Sequence, residues 1–265
     1  MACKRLALIV LLLATAVGPA GCRAADDQAT AATPAPSPPA SASASAEPDD
    51  PAAELAAAAA RLAGDTVRVR VAVSGQLSLT GVLDPQTRAA AVKVDMGAVD
   101  DGTQAQLRKV GDDMWIKLSG PVPAMLGGTG QWMHLRAGDL SAASSFNVLP
   151  GDDPAGVRAM LTAVTGVKRT GPRGFAGTID LTRSERYSAQ TLESLGAKAA
   201  FVPFTATTDT QGRLIALSTD LSSIVSGAGQ LTTGFSDFGV PVEVERPPAA
   251  ETTELPTRLK SVIDA

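Results

Sequence analysis

Apolar and polar residues alternate over most of the chain between Thr66 and Asp220, which is the pattern of strands buried on one face. In Thr66–Ser74, valines occupy every second position and arginines lie between them. Gly111-Asp112-Asp113 separates two later segments of this kind and is typical of a hairpin turn. The connections are too short for crossovers, so the pattern predicts an antiparallel meander. Its five strands are expected at Thr66–Ser74, Gln76–Leu83, Ala90–Met96, Leu107–Val110 and Met114–Leu118.

The rest of the chain predicts helices that interrupt further strands. Asp153–Val164 has an Asp suited to capping, a Pro in the first turn and one apolar stripe. Other helices are expected at Glu54–Ala63, Pro121–Leu126, Leu140–Phe146, Ser184–Leu195 and, as a loose terminal helix, Leu255–Ile263. Strands are expected at Gly166–Thr170, Phe175–Leu181, Ala199–Thr208, Arg213–Asp220 and Leu231–Glu245. This order predicts an α+β fold, in which helices cover the concave face of one curved antiparallel sheet.

The N-terminus has the pattern of a secretion signal. Lys4 and Arg5 precede an apolar run from Leu6 to Val17, and small residues follow it. The run is shorter than the roughly 18 apolar residues that span a bilayer. Ala20-Gly21-Cys22 resembles a bacterial lipobox, although the Leu preferred three residues before the cysteine is Pro19 here. We therefore expect cleavage before Cys22 and lipidation of its thiol; the alternative is an uncleaved membrane anchor.

The expected domain organisation follows from these patterns. Residues 1–21 are the signal peptide, and residues 22–51 are the lipidated cysteine with a linker rich in Ala, Pro and Ser. The linker contains no Val, Leu, Ile or aromatic residue, so it is expected to be disordered. It is either plain or carries O-linked sugars. Residues 52–248 form the folded domain and residues 249–265 a tail. Localisation is expected on the extracytoplasmic face of the cell membrane.

Composition and charge narrow the range of functions. The formal net charge is −4, and it becomes −6 when Lys4 and Arg5 leave with the signal. No basic run remains, which argues against nucleic acid as a partner. Both cysteines lie within the first 22 residues, so the folded domain has neither a disulfide nor a thiolate site.

The sequence offers little for catalysis. His134 is the only histidine and lies beside Trp132 and Met133, where a structural role is expected. There is no nucleophile elbow or phosphate-binding loop, and the kinase-like Asp237-Phe238-Gly239 lacks the other kinase motifs. Three Asp pairs could attract calcium, but each lies at a turn or helix start, where Asp is favoured anyway. These pairs are Asp100-Asp101, Asp112-Asp113 and Asp152-Asp153. We therefore expect that the protein is not an enzyme and that it has neither a cofactor nor a metal site.

The apolar residues of the domain are small rather than bulky. Aromatic residues make up only 3% of the chain, so Val, Leu, Ile, Met and Ala must fill the space between sheet and helices. Such a face could leave a hydrophobic cavity the size of a lipid chain. It could equally form an ordinary packed core, and the pattern alone leaves both open.

A series of short motifs resembles a known family. They are the segment from Asp113 to Leu118 followed by Gln131-Trp132-Met133, Gly177–Leu181, Pro203-Phe204 leading to Asp209–Leu214, and Phe235–Val242 running into Pro247-Pro248. In this order, over roughly Leu55–Pro248, the chain resembles the actinobacterial LppX/LprG-type lipoproteins, relatives of the LolA-like lipoprotein carriers. The resemblance implies a half-open β-barrel closed by helices over an apolar cavity that holds acyl chains of glycolipids or lipoproteins. None of the motifs is a catalytic signature.

Two functions follow as expectations. The first is a lipid or glycolipid carrier anchored in the membrane, and the second is a sensor or scaffold that binds another envelope protein through a sheet edge. For the carrier, the expected lining of the cavity is Val69, Val71, Leu79, Val94, Ile116, Met160, Leu161, Phe175, Ile179, Val202 and Phe204.

Overall fold

The computed structural model describes residues 50–74, 76–96, 102–120, 130–140, 144, 146–184, 187 and 189–263. For residues 189–191, 258, 261 and 262 it describes the backbone only. The signal peptide, Cys22, most of the linker, Asp100-Asp101 and the helix predicted at Pro121–Leu126 lie outside these residues. The helix predicted at Leu140–Phe146 lies partly outside them.

The domain opens with helix α1, Pro51–Ala60, which a 3₁₀ turn extends to Ala63. The Asp50 side chain accepts a hydrogen bond from the Ala52 amide, and Pro51 occupies the first turn, where its missing N–H costs nothing. The alanine-rich sequence favours helix. Leu55 and Leu62 are fully buried, so this helix packs its apolar side into the core.

In the described part of the chain, eleven longer strands and one short strand form a single open sheet. The strands are β1 (Val67–Val73), β2 (Leu77–Asp84), β3 (Ala89–Asp95), β4 (Gln104–Val110), β5 (Asp113–Ser119), β6 (Trp132–Arg136), β7 (Val164–Arg169), β8 (Gly174–Ile179), β9 (Val202–Thr208), β10 (Leu214–Asp220), β11 (Gln230–Ser236) and β12 (Thr252–Glu254). Their order in the sheet is β12-β6-β5-β4-β3-β2-β1-β11-β10-β9-β8-β7. β1 and β11 join the two halves of the sheet, and β12 and β7 form its edges.

The five-strand meander is confirmed, with ends that shift by up to three residues. Hydrogen bonding between β1, β2, β3, β4 and β5 is antiparallel throughout. The hairpin of β9 and β10 is also confirmed, with the Asp209 carboxylate accepting from the Gln211 and Arg213 amides in its turn.

The expectation of a purely antiparallel sheet is wrong in one place. β12 pairs with β6 in parallel, with Thr252 opposite Trp132 and Glu254 opposite His134. The sheet is therefore mixed. The residues after Pro248, expected as a tail, supply β12 and then helix α4 (Thr257–Ile263), whose Leu259 and Ile263 are buried in the core.

Two predicted elements are shorter than expected. The helix expected over Asp153–Val164 is a 3₁₀ turn followed by the brief α2 (Val157–Leu161), because Ala155 and Gly156 adopt positive φ angles of 57° and 66°. The strand expected to run to Glu245 ends at Ser236. Asp237 has a positive φ of 52°, and the chain leaves the sheet there.

The strand alternation sorts side chains onto two faces. Here the inner face is the one that carries the core, such as Val69, Leu107 and Ile116, and the outer face carries Arg68, Arg108 and their neighbours. α1, α2 and α4 contribute to the same apolar cluster as the inner face, and Leu195 of α3 (Ala189–Leu195) joins them. Among the described residues, no helix is both long and apolar enough to cross a membrane.

Candidate functional site

The structure brings all eleven predicted lining residues together in one apolar cluster. Seven of them are buried: Val69, Ile116, Leu161, Phe175, Ile179, Val202 and Phe204. The other four are partly exposed and pack against the cluster: Val71, Leu79, Val94 and Met160. The lining is thus divided into a deep part and a part that reaches solvent.

The deep part is closely packed. Ile116, Phe175 and Ile179 each have 0% exposed surface, so a water-sized sphere touches none of them in this conformation. Gly177 on β8 lies so close to its neighbours that a Cβ there would come within 2.9 Å of the Phe204 ring and of the Thr165 carbonyl oxygen. A guest in this region would therefore have to displace side chains.

The partly exposed part forms a continuous row. Strand pairing sets Val71 opposite Leu79 and Leu79 opposite Val94, on three adjacent strands. One step toward the buried end, Val69 and Val92 lie on either side of Gly81 and are covered, with 1% and 4% exposed surface. On β1, β2 and β3 the cover of the inner face therefore stops between these two rows, whereas Ala105, opposite Val94 on β4, is buried.

Apolar side chains continue beyond that row to the strand ends. We call this region the open apolar end; its partly exposed members are Val71, Val73, Leu77, Leu79, Val94 and Met96. Three adjacent strands span about 9.5 Å, and successive inward side chains on one strand are about 6.8 Å apart. The region is therefore wide enough for one hydrocarbon chain to lie across it.

A loop borders the open apolar end. It runs from Leu221 to Gly229 between β10 and β11, and its Ile224 and Val225 pack against the apolar cluster. Gln76 donates a hydrogen bond to the Gly227 carbonyl at 3.4 Å, and the Gln230 amide donates to Ser74 Oγ at 2.9 Å. These bonds fix the loop to the β1–β2 turn at the edge of the site.

A separate pocket of about 320 Å³ lies on the outer face. None of the eleven predicted lining residues contributes to it. Its charged and aromatic residues are Arg68, Lys93, Arg108 and Trp132, and its other residues are Thr80, Gly81, Val82, Ala91, Val92, Gln106 and Leu107. The sequence pattern does not predict this pocket. The only trace of it in the sequence is a set of cations at the polar positions of β1, β3 and β4, which are ordinary at a solvated face.

His134 lies among carboxylates at the β6 edge. Its Nε2 is 3.1 Å from Asp113 Oδ1 and its Nδ1 is 3.6 Å from Glu254 Oε1, and its ring centre is 5.4 Å from that of Trp115. The hydrogen bond from His134, aided by Arg136 and Arg246, holds the pKa of Asp113 below its ordinary value. These contacts link β12 to β5 and β6, which is a structural role.

The described Asp pairs engage cations or backbone amides. Asp112 pairs with Arg88 at 2.9 Å, and Asp152 pairs with Arg158. Asp153 accepts hydrogen bonds from the Arg158 and Ala159 amides and so caps α2. Within the described ranges, no three His, Cys, Asp or Glu side chains group as a metal site would require.

Comparisons with known proteins add little to this description. No protein-family model matches the chain, and no curated protein matches it. Among solved structures, the crystal structure of MucB in complex with MucA(peri) aligns at 11% identity and a TM-score of 0.28. The alignment covers 75% of this chain and 57% of the MucB chain, so this chain spans little more than half of that protein. An identity and a TM-score this low transfer neither a family nor a function. What stands is an α+β fold built on a large, open, mixed sheet.

Proposed function

We propose that this protein is a lipoprotein of the cell envelope that binds the acyl chain of a lipid or glycolipid against the inner face of its sheet. The observation that carries the proposal is the open apolar end, where Val71, Leu79 and Val94 form a partly exposed row that continues into the core. Burying apolar surface contributes about 25 cal/mol per Å², so an acyl chain laid on this row gains free energy without any chemical step.

The inner face also sets how binding would proceed. The first part of the chain would lie on the open apolar end, and the rest would enter only if the packed side chains behind it moved apart. Met160 is the most adaptable of the partly exposed lining residues, because its unbranched side chain has several rotatable bonds. Ile224 and Val225 in the bordering loop would then cover the bound chain.

The test compares two matched double variants of the full chain. V71T/V94T keeps the shape of both side chains but adds hydroxyl groups at the open apolar end. V164T/V167T makes the same change at partly buried positions of β7, on the far edge of the sheet. We expect saturable binding of a fluorescent fatty acid by the wild type and the control, and at least about tenfold weaker binding by V71T/V94T.

Native mass spectrometry after incubation with a cell lipid extract gives a second readout. The proposal predicts a lipid-bound species for the wild type and its loss in V71T/V94T. Only apo protein from the wild type, or equal binding by both double variants, would refute it.

The second function expected from the sequence, binding of an envelope protein through a sheet edge, finds little support at the edges. β7 is bulged between Thr165 and Lys168, with Gly166 at a φ of 60°, and β12 is only three residues long. Arg169 on β7 is also tied to Glu54 of α1. Bulges and short edge strands hinder the addition of a further strand. A partner would have to use side-chain surfaces, and pull-down from solubilised membranes tests for one.

A further inference from the structure

The outer-face pocket has a composition unlike that of the rest of the molecule. Its charged members are all cations, Arg68, Lys93 and Arg108, in a chain whose net charge is −4. None of the described residues that line it carries a carboxylate. A concentration of positive charge at one concave site of an acidic protein favours an anionic ligand.

The three cations differ in the ion pairs and hydrogen bonds that they already form. Arg68 Nε is 2.5 Å from Asp237 Oδ2, which leaves its two terminal nitrogens without a partner among the described residues. Arg108 Nη1 donates to the Glu245 carbonyl at 3.1 Å, a neutral acceptor that leaves its charge uncompensated. Lys93 is exposed and has no ion-pair or hydrogen-bond partner in the described part of the chain. The Lys93 ammonium and most of the Arg108 guanidinium therefore remain available, and the Arg68 guanidinium, whose charge Asp237 compensates, keeps its two terminal nitrogens as donors.

The segment after β11 and a neighbouring aromatic ring hold these groups in position. Asp237 and Glu245 belong to the segment that leaves the sheet at Ser236 and returns at β12, and they fix the two arginines from one side. The Arg108 guanidinium carbon also lies 5.0 Å from the centre of the Trp132 ring, in cation–π geometry. A guanidinium positioned in advance loses less entropy when it binds an anion.

The uncharged part of the pocket limits the class of ligand. Thr80 and Gln106 supply a hydroxyl and an amide beside the cations, while Val82 and Ala91 supply a small apolar floor. A volume of about 320 Å³ is at the lower end of ligand sites and fits a small molecule. We propose that the outer-face pocket binds a phosphate monoester carried by a small hydroxylated molecule or headgroup. The three phosphate oxygens would meet Arg68, Lys93 and Arg108, and the carrier's hydroxyl groups would meet Thr80 and Gln106.

This site is independent of the acyl-binding proposal, because it lies on the opposite face of the sheet and shares no residue with the open apolar end. The chain contains two tryptophans, and Trp132 lies in the pocket. Intrinsic fluorescence of the full chain, purified in detergent, therefore reports on ligand binding there.

The first experiment titrates the full chain at low salt with glucose 6-phosphate, inorganic phosphate and glucose. We expect a saturable change with glucose 6-phosphate, weaker saturation with inorganic phosphate and no change with glucose. Added salt should weaken binding, because it screens exposed charges. Lys93→Gln should weaken binding about tenfold, the usual effect of losing a hydrogen bond to a charged group. Lys168→Gln, an exposed cation on β7, is the matched control and should leave affinity unchanged.

A second set of titrations separates a free phosphate from a lipid headgroup. For these, the same chain is reconstituted, with the detergent removed, into vesicles of phosphatidylcholine with and without phosphatidic acid. A response that needs phosphatidic acid and is lost in Lys93→Gln assigns the site to a headgroup, whereas a response to glucose 6-phosphate assigns it to a soluble ester. Absence of saturation with every phosphate, or equal weakening by Lys93→Gln and Lys168→Gln, would overturn the proposal. Arg108→Gln repeats the test at a second lining residue.

Discussion

At the scale of single residues, the charged side chains of the outer face are organised by a few carboxylates. Asp113 accepts from His134 and lies 3.3 Å from Arg246 and 3.7 Å from Arg136. Arg246 also lies over the Trp115 ring at 5.8 Å. One carboxylate thereby links β5, β6 and the segment before β12, and its ionisation should matter for how firmly these parts hold together.

The ionisation of Asp113 makes the stability of the fold depend on pH. Because the folded protein lowers the pKa of Asp113, the carboxylate stabilises the fold above its unfolded pKa, about 3.8, and this contribution disappears as pH falls through the folded pKa. Asp113→Asn should therefore lower the free energy of unfolding by up to about 1 kcal/mol at pH 7, and the difference from the wild type should vanish once the pH has fallen through the lowered folded pKa. Urea unfolding at a series of pH values measures this.

A matched control for that series is Asp237→Asn, which removes the partner of Arg68. Both side chains of this pair are about half exposed, so its loss should change stability little at any pH. The same pH slope in the wild type and Asp113→Asn between pH 5 and 2 would contradict the assignment to Asp113.

Lys109 is buried at a position where the alternation of strand β4 predicts an apolar residue. It lies on the inner face of β4 with 5% exposed surface, and its Nζ donates to the Gly111 carbonyl at 2.8 Å. Burial, followed by repulsion from Arg88, lowers the pKa of Lys109. Alternation alone predicts an apolar residue there. The long side chain instead reaches the end of the strand and satisfies turn carbonyls, which no periodicity signals.

Among the strands and helices, the sequence predicts those that depend on local alternation and turn residues. The β1–β5 meander follows from alternation and the hairpin turn at Gly111, and the β9–β10 hairpin follows from the turn beginning at Asp209. The alternation does not predict β6, because Trp132–Arg136 is short and begins with two adjacent apolar residues, Trp132 and Met133. β12 was missed because three residues carry no period, and only pairing with β6 makes them a strand.

Close packing within the sheet makes one glycine, which lies between two valines of the neighbouring strands, hard to replace. Gly81 of β2 lies opposite Val69 and Val92 in the register, and a Cβ there would be 2.6 Å from both the Ala91 carbonyl oxygen and Val92 Cγ2. Gly81→Ala should lower the free energy of unfolding by about 1–3 kcal/mol, because strand and side chain must both shift. Denaturant unfolding monitored by circular dichroism measures the loss.

Gly234→Ala in β11 provides the comparison, because it too lies inside a strand. The nearest atoms to its Cβ would be 3.9 and 4.0 Å away, which is ordinary contact. We expect stability to stay the same or to rise by about 0.5 kcal/mol as the unfolded chain loses freedom. Equal losses in both variants would show that strand flexibility, rather than the close approach at Gly81, determines the cost.

At the scale of the whole molecule, the two faces of one sheet divide the proposed functions. The apolar cluster on the inner face could be predicted, because it follows from alternation in strands that all belong to one sheet. The outer-face pocket could not be predicted from the sequence. It depends on Asp237 and Glu245 reaching Arg68 and Arg108 across a separation of more than 130 residues, and no local pattern encodes that approach.

Anchoring would limit the distance between the two faces of the sheet and the membrane. A lipid-anchored domain meets its ligands within reach of the membrane, so the linker between Cys22 and α1 would decide how far the open apolar end can travel from it. Two acyl chains suffice for stable attachment where one is marginal, since each buried methylene contributes about 0.8 kcal/mol. The proposed anchoring therefore depends on one atom, the Cys22 sulfur, and replacing that atom tests it.

The chain contains its own control for that test, because its two cysteines are Cys3 and Cys22. If the thiol of Cys22 is lipidated after cleavage, Cys22→Ser should move the protein from the membrane fraction to the soluble fraction or leave it unprocessed, with loss of the acyl mass. Cys3→Ser should leave anchoring intact, because Cys3 departs with the signal peptide. Fractionation together with intact-mass measurement distinguishes these outcomes. Retention of Cys22→Ser in the membrane at the same mature mass as the wild type would instead mean that attachment does not depend on a lipid at Cys22, and the proposed anchoring through that residue would have to be abandoned.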